Sequence, residues 1–408
     1  MLARPGHNPA GAPFRGRIIM YSQSDIEDAV AGGALTAEQA ASLRNHVAAR
    51  NGTPTADEEP VRWLLGFNDL YVFYSSILLL VGLGWLGSKI DIGNSPSPFM
   101  AIFVAAGAWG LAEFFSRRKR QALSGIGFAV TFVYAVFFAG MLLAVSMMGR
   151  SNIDSMNIIN AVCALLGAGG AFLYWKRFEE PIAVSLGVGM VAMAIMFLLG
   201  AAVPTDPGSD IAEIVLLVLG LAVFVYAMMW DSKDPRRVTR RADTGFWLHW
   251  TSTWMVIIAL VALLKLAEGP VSVVMSVVTI LLFIVLTLVA LAVDRRVWVL
   301  GAAYPLGVGL FWLINGQPRR FEDMDSYGGG YDSMGGAYGG GYGGGYGGYG
   351  NTQDSLMITL LLIGILLVVI GMFWSQIRRS VVGMLPEGLR NRVPGTDLQP
   401  VREAQTFD

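Results

Sequence analysis

The sequence predicts an all-α integral membrane protein, a polytopic bundle of about ten transmembrane helices with both chain termini in the cytosol. Of its 408 residues, 54% are apolar and only 14% are charged, whereas a soluble domain has about 25% charged residues. The charges fall between apolar blocks, each about as long as the roughly 20 residues that a helix needs to cross a 30 Å hydrocarbon core. The blocks lack the alternation of barrel strands, and lipid offers the backbone no water, so helices are favoured.

Ten blocks have this length and composition. The ninth is short and contains Pro305, which predicts a kink or a tilt in that helix. Small residues at helical spacing, such as Ala108 with Ala112 and Ala164 with Ala168, predict close packing between helices. The predicted cores of the spans are residues 70–87, 99–115, 122–148, 157–174, 182–203, 211–230, 246–266, 271–293, 298–314 and 356–374.

Lysine and arginine are distributed unevenly among the joins between the blocks. With the N-terminus in the cytosol, 24 of the 29 Lys and Arg residues fall on the cytosolic side and five on the outer side. Cytosolic loops of membrane proteins carry such an excess. The chain shows neither a signal peptide nor a convincing mitochondrial presequence. We therefore expect a multi-pass protein of a bacterial inner membrane, with both termini inside.

The segments outside the blocks differ in composition. Residues 1–19 are rich in Gly, Pro and Arg, and they predict a disordered tail or an extension that precedes a true start at Met20 instead of Met1. Residues 20–60 predict a cytosolic helical hairpin, whose second helix begins with a capping box of Thr36 and Gln39. Spans 1–9 then occupy residues 61–314, span 10 occupies 355–376, and residues 377–408 form a basic cytosolic tail along the inner membrane surface.

A Gly/Tyr-rich loop is predicted over residues 315–354, on the periplasmic side. Its stretch 327–350 contains 14 Gly and six Tyr in 24 residues, and ordering glycine costs so much backbone entropy that we expect disorder. The tyrosines predict weak contacts with an envelope protein, a glycan or another copy of the loop. The alternative is a repeat insertion that an exposed loop tolerates. The candidate contact residues are Tyr331, Tyr338, Tyr342 and Tyr346.

The first 200 residues, about half of the chain, carry a resemblance. A capped hairpin with GGALTAEQAASL precedes RWLLGFNDLYVFYSSILLLVGLGWLG, and the hairpins that follow turn at SRRKR and WKR. This layout resembles a family of bacterial multi-pass membrane proteins, the 2157-type domain of unknown function. The resemblance implies an integral membrane protein and implies no activity. The Gly/Tyr-rich loop departs from the family pattern.

Two ionisable residues in the apolar blocks are candidates for function, because such residues usually mark functional sites. Glu113 precedes Arg117 by four residues on one helical face, which predicts either an interfacial ion pair or a carboxylate that binds a proton or a cation. His249 lies in FWLHWTSTW at the inner end of the seventh block. Its cluster predicts either an interfacial anchor or a pocket for a lipid headgroup or a quinone. The walls of that pocket would be Trp247, Trp250 and Trp254.

Asn160 is the main strongly polar side chain well inside a block, and a buried amide more often holds helices together than binds a ligand. Three His and one Cys show no metal-ligand spacing. The chain has no Walker lysine motif, HExxH or GxSxG. We therefore expect no catalytic, metal-binding or cofactor-binding residues, and no nucleic-acid partner.

These patterns favour a non-enzymatic envelope protein with a structural or interaction role, in contact with membrane lipids. One alternative is a transporter or lipid-handling protein, which ten spans, Pro305 and many glycines allow. The other is a membrane-embedded enzyme that acts on a lipid through His249 and an acid such as Glu113 or Asp69. The sequence names no substrate for either alternative.

Overall fold

The structure is a computed structural model that describes residues 26, 29–36, 38–43, 67–90, 97–119, 121–148, 153–203, 209–233, 240–316, 352–386 and 388. Within these ranges the regular structure is helical and no residue lies in a strand, which confirms the all-α class. The chain forms two compact units. One comprises Met1–Pro60 with Asp397–Asp408, and the other, Val61–Thr396, contains the apolar blocks.

Each of the ten apolar blocks forms a helix. In the described part of the chain, nine of these helices are long and apolar enough to cross a membrane, and α2 is shorter, with 17 residues. A further helix of the large unit, α11, is short and amphipathic. The bounds are α1 Phe67–Ser88, α2 Phe99–Phe115, α3 Ala122–Met148, α4 Ile153–Phe178, α5 Pro181–Ala202, α6 Ile211–Asp231, α7 Arg240–Leu263, α8 Val273–Val293, α9 Val297–Asn315, α10 Thr352–Met372 and α11 Trp374–Met384.

Local sequence explains several helix ends. Pro181 occupies the first turn of α5, where its fixed φ suits a helix and its missing N–H costs nothing. Ser272 caps α8, and its side chain accepts a hydrogen bond from the Met275 amide at 3.2 Å. Asp294 ends α8 in the left-handed conformation, with φ 56°. Pro305 lies inside α9 and is fully buried.

The last span ends earlier than its sequence predicts. Span 10 was expected over residues 355–376, but α10 ends at Met372 and α11 begins at Trp374. Phe373 leaves the helical conformation, with φ −103° and ψ 16°. Hydrophobicity continues through FW, so composition alone does not reveal this break. The start of the expected basic tail is therefore a separate amphipathic helix.

The helices pack in two sets. Helices α1–α5 surround clusters that include Phe128, Tyr174 and Met190, whereas α6–α11 surround a cluster that includes Leu291 and Trp298. Helix α5 packs on α6 and α7 and joins the two sets. The predicted small-residue pairs contribute to these contacts, since Ala108, Ala112 and Ala164 are fully buried and Ala168 is partly buried.

Contacts between helix ends show that successive spans run in alternating directions. One end of the bundle, called the basic end here, contains the C-termini of α2, α4 and α6 and the N-termini of α3, α5 and α7. The contacts that join it are Glu113 with Arg177, Ser185 with the Trp247 carbonyl, and Asp231 with Arg295. At the opposite end, Asn157 Nδ2 donates to the Gly200 carbonyl at 3.0 Å and Lys265 Nζ donates to Asp210 at 2.9 Å.

The small unit contains the predicted capping box. The Thr36 amide donates to Gln39 Oε1 at 2.9 Å, and the Gln39 amide donates to Thr36 Oγ1 at 3.1 Å. These reciprocal bonds satisfy two donors at the start of the helical residues 38–43, and they confirm the predicted capping box. The helical hairpin itself stays a prediction. Residues 1–19 and the Gly/Tyr stretch 327–350 lie outside the described residues.

Candidate functional site

A buried ion pair lies at the basic end of the bundle, between the end of α6 and the join of α8 to α9. Asp231, the last residue of α6, is 4% exposed, and Arg295 is 2% exposed. Arg295 Nη2 donates to Asp231 Oδ1 at 2.5 Å, and its Nε donates to Oδ2 at 3.1 Å. The same Nη2 donates to the Ala242 carbonyl at 3.2 Å. This fork fixes α6, α7 and the α8–α9 join to one another.

His249 of α7 is the third member of this cluster. Its Nε2 lies 3.1 Å from Asp231 Oδ2, and its Nδ1 lies 3.4 Å from Trp298 Nε1. An indole N–H only donates, and a neutral imidazole has one donor and one acceptor. We therefore assign Nδ1 as the acceptor and Nε2–H as the donor to the carboxylate, an assignment that follows from the hydrogen bonds. The arrangement favours a neutral imidazole beside a neutralised Asp231–Arg295 pair.

A glycine makes room for this cluster. A Cβ atom added at Gly245 would overlap Asp231 Oδ1 and would lie 3.4 Å from Arg295 Nη2. Gly245 is one turn before His249, so the lack of a side chain lets the first turns of α7 approach the end of α6. Gly245 of RRADTGFWLHW therefore allows this close approach within a continuous helix.

The residues on either side of Arg295 connect the cluster to α11. Asp294 Oδ1 accepts a hydrogen bond from Trp374 Nε1 at 2.9 Å, and it lies 3.3 Å from Arg378 Nε. The Arg296 guanidinium carbon lies 5.3 Å from the centroid of the Trp374 ring, a cation–π distance. Trp374, Arg378 and Val382 form the buried face of α11. The first part of the tail that was predicted to lie along the membrane is therefore α11, and α11 packs on the turn that contains Arg295.

The structure limits the sequence interpretations of His249. A pocket for a lipid headgroup or a quinone requires a reachable ring, but His249 is 0% exposed. The interfacial anchor of the neighbouring tryptophans stays a prediction. The aromatic neighbours of His249 are Phe224, at a centroid distance of 5.5 Å, and Trp298. The expected walls, Trp247, Trp250 and Trp254, follow one another in ring contact along α7, and Trp250 is 36% exposed.

The acids expected beside His249 lie elsewhere. Asp69 is buried at the start of α1, where its carboxylate accepts from the Leu123 amide at 3.1 Å and from Ser124 Oγ at 2.7 Å. It therefore caps the N-terminus of the neighbouring helix α3, where a negative charge is favourable.

Glu113 lies in an ion pair with Arg117, as the helical spacing predicts, at 2.6 Å. It also binds Arg177 at the end of α4, at 2.7 Å, which the sequence did not indicate. Glu113 is 33% exposed at its side chain, so this cluster lies at the surface of the basic end. It links α2 to α4 across the start of α3.

Asn160 does not form the interhelical bond expected of it. Its Oδ1 is buried and accepts no hydrogen bond from the described residues. The amide that joins α4 to α5 is Asn157, one turn earlier, which donates to the Gly200 carbonyl. Asn157 lies nearer the helix end, where α5 ends and exposes a free carbonyl.

The remaining candidates, Tyr331, Tyr338, Tyr342 and Tyr346, lie outside the described residues, so the predicted tyrosine contacts stay a prediction. Within the described ranges, no group of three or more His, Cys, Asp or Glu side chains is arranged to hold a metal ion. No family model, no curated protein and no solved structure matches the chain. The resemblance to the 2157-type family therefore also stays a prediction.

Proposed function

We propose that this multi-pass membrane protein has a non-enzymatic, structural or interaction role in a bacterial inner membrane. The observation that carries the proposal is the buried cluster of Asp231, Arg295 and His249. Its charges neutralise one another and its side chains are at most 4% exposed. Groups held in this way fix helices in place. A proton relay or an acid–base catalyst would instead need an ionisable group that a substrate reaches.

The basic end provides the first of two contact surfaces in this proposal. There α11 is docked through its buried face, and it presents Gln376, Arg379 and Ser380 on an exposed polar face. By the distribution of Lys and Arg, this end faces the cytosol. The second surface is the Gly/Tyr-rich loop, which joins α9 to α10 and would lie on the periplasmic side.

A complementation experiment tests the role of the loop. A deletion strain would receive the full-length protein, a version without residues 327–350, or a version of full length with Tyr331, Tyr338, Tyr342 and Tyr346 changed to Ser. Growth would be measured under detergent, osmotic and cell-wall stress. We expect rescue by the full-length protein alone. The Tyr→Ser version separates tyrosine contact from loop length, since it keeps the length.

Transport is the competing function. Saturable, ion-driven solute uptake by the purified protein in proteoliposomes would overturn the proposal, whatever the loop does in cells.

A lipid-modifying enzyme is the other alternative, and it would require the His249 side chain for its reaction. Full complementation by His249→Gln, with unchanged thermal stability in detergent, would remove that alternative. A specific loss of activity with retained stability would favour it.

A further inference from the structure

An apolar groove of about 510 Å³ opens on the side of the bundle between α4, α5 and α6. Its floor consists of small, closely packed side chains, among them Ala171 and Ala183, which are at most 1% exposed. Phe172 on its wall is 57% exposed, so the groove is open to its surroundings. On α5 it extends from Ala183 to Ile195, which at 1.5 Å per residue is about 18 Å. It thus runs along more than half of a 30 Å hydrocarbon core.

One end of the groove has an aromatic rim. Trp175, Tyr226 and Trp230 line it where α4 and α6 end and α5 begins, which places the rim at the basic end. The rings of Tyr226 and Trp230 meet edge to face at 6.3 Å. Tryptophan and tyrosine favour the level of the lipid headgroups, where an apolar ring adjoins water. The rim therefore marks the passage from hydrocarbon to interface.

Two lysines lie just beyond this rim. Lys233 Nζ is 6.0 Å from the centroid of the Trp230 ring. Lys176 follows Trp175 and is four residues after Phe172, so it shares the helical face that lines the groove. Both side chains are exposed. An apolar channel at membrane depth thus ends in aromatic rings, and beyond them in two exposed lysine side chains.

We infer that this groove binds one acyl chain of an anionic phospholipid, with the headgroup phosphate held near Lys176 and Lys233. At this depth the molecules that surround the bundle are lipids, and the groove has the length and apolar lining of a chain. Its volume lies within the 300–1,000 Å³ range of ligand pockets. Cations at the mouth select a negative headgroup. The inference does not depend on the proposed structural role, since a structural protein and a lipid-handling protein both use bound lipid.

Photocrosslinking of a defined lipid tests this site. The full-length protein would be reconstituted with phosphatidylglycerol that carries a diazirine on one acyl chain, and in parallel with the matching phosphatidylcholine. After illumination, digestion and mass spectrometry would locate the attached lipid. We expect adducts concentrated on α4, α5 and α6, with more adducts from phosphatidylglycerol than from phosphatidylcholine.

Ala222→Phe places a ring in the groove from an exposed position. We expect this variant to lower the number of adducts about fivefold or more, the factor that corresponds to about 1 kcal/mol.

Val225→Phe and Lys119→Gln are the matched controls, for the groove variant and for the lysine variants respectively. Val225→Phe adds a ring at a 58% exposed position of α6 that does not line the groove, and it should leave the adducts unchanged. Lys176→Gln with Lys233→Gln should lower the phosphatidylglycerol preference about fivefold for each lysine. Lys119 is an exposed lysine of another join at the basic end, and Lys119→Gln should leave the phosphatidylglycerol preference unchanged.

Three results would overturn the inference. The first is a set of adducts spread evenly over the outer surfaces of all the spans. The second is an equal effect of Ala222→Phe and Val225→Phe. The third is protein–protein crosslinking between α5 and α6 of two molecules in place of lipid adducts, which would assign the groove to a second copy of the chain. Thermal stability of each variant in detergent confirms that the loss of adducts does not reflect unfolding.

Discussion

Replacing Arg295 with Met would leave the carboxylate of Asp231 buried without its guanidinium partner. The two side chains are 2% and 4% exposed and meet through two N–H···O contacts, at 2.5 and 3.1 Å. Removing one partner of a buried ion pair costs about 3–5 kcal/mol, because the remaining charge keeps its desolvation penalty. We therefore predict that Arg295→Met lowers the free energy of unfolding by about 3–5 kcal/mol.

The assay is unfolding of the purified protein by titration with SDS in mixed micelles, compared across a set of variants. Replacing both partners by apolar residues is often nearly neutral, so Asp231→Leu combined with Arg295→Met should be more stable than Arg295→Met alone. The double variant should regain only part of the lost stability, because His249 then loses its hydrogen-bond acceptor. Arg177→Met, at an ion pair whose arginine is 43% exposed, is the matched control and should lose little. Equal losses for Arg295→Met and Arg177→Met would refute the reasoning.

Three further predictions concern the same end of the bundle. Gly245→Ala should destabilise the protein by about 1–3 kcal/mol, because its methyl group overlaps a buried carboxylate. Gly110→Ala, whose methyl group would meet open space, should not destabilise it. Thermal melting in detergent would compare the stability of the two variants. Asp69→Ala should cost about 0.5–2 kcal/mol in the same measurement through loss of the α3 cap, and Asp69→Asn, which keeps an acceptor, should cost less. ¹⁵N NMR of labelled His249 should show the neutral tautomer protonated at Nε2, and an imidazolium at pH 7 would contradict the assignment.

The spans were predictable because the hydrocarbon core imposes a length. The predicted block 122–148 coincides with α3, Ala122–Met148, and the block 211–230 differs from α6 by one residue. The seventh span was expected to start at 246, but α7 starts at Arg240. Its first turns are polar, yet they face the buried Asp231–Arg295 pair through Gly245 and the Ala242 carbonyl. Hydropathy cannot distinguish such turns from a solvated loop.

The buried cluster was not predictable for a related reason. Asp231 and Arg295 are 64 residues apart, and each stands at the end of a span, where charges are expected in any membrane protein. The same arginine therefore contributes to the predicted orientation and to the buried pair, and composition does not separate the two roles. The signals that pointed toward the cluster were His249 and its aromatic neighbourhood. These signals identified His249 as a member of the cluster, but the side chains predicted to lie beside His249 were the wrong ones.

Accessibility of single cysteines from the two sides of the membrane tests most directly whether the bundle spans it with the basic end in the cytosol. The chain has one cysteine, the buried Cys163, so a Cys163→Ala background leaves no thiol. Ser232→Cys places one at the basic end, and Glu268→Cys places one at the opposite end, both at exposed positions. A membrane-impermeant maleimide should label the cysteine at 268 in spheroplasts and the cysteine at 232 in inverted vesicles. Labelling of both positions from the same side, or in the reverse order, would contradict this arrangement.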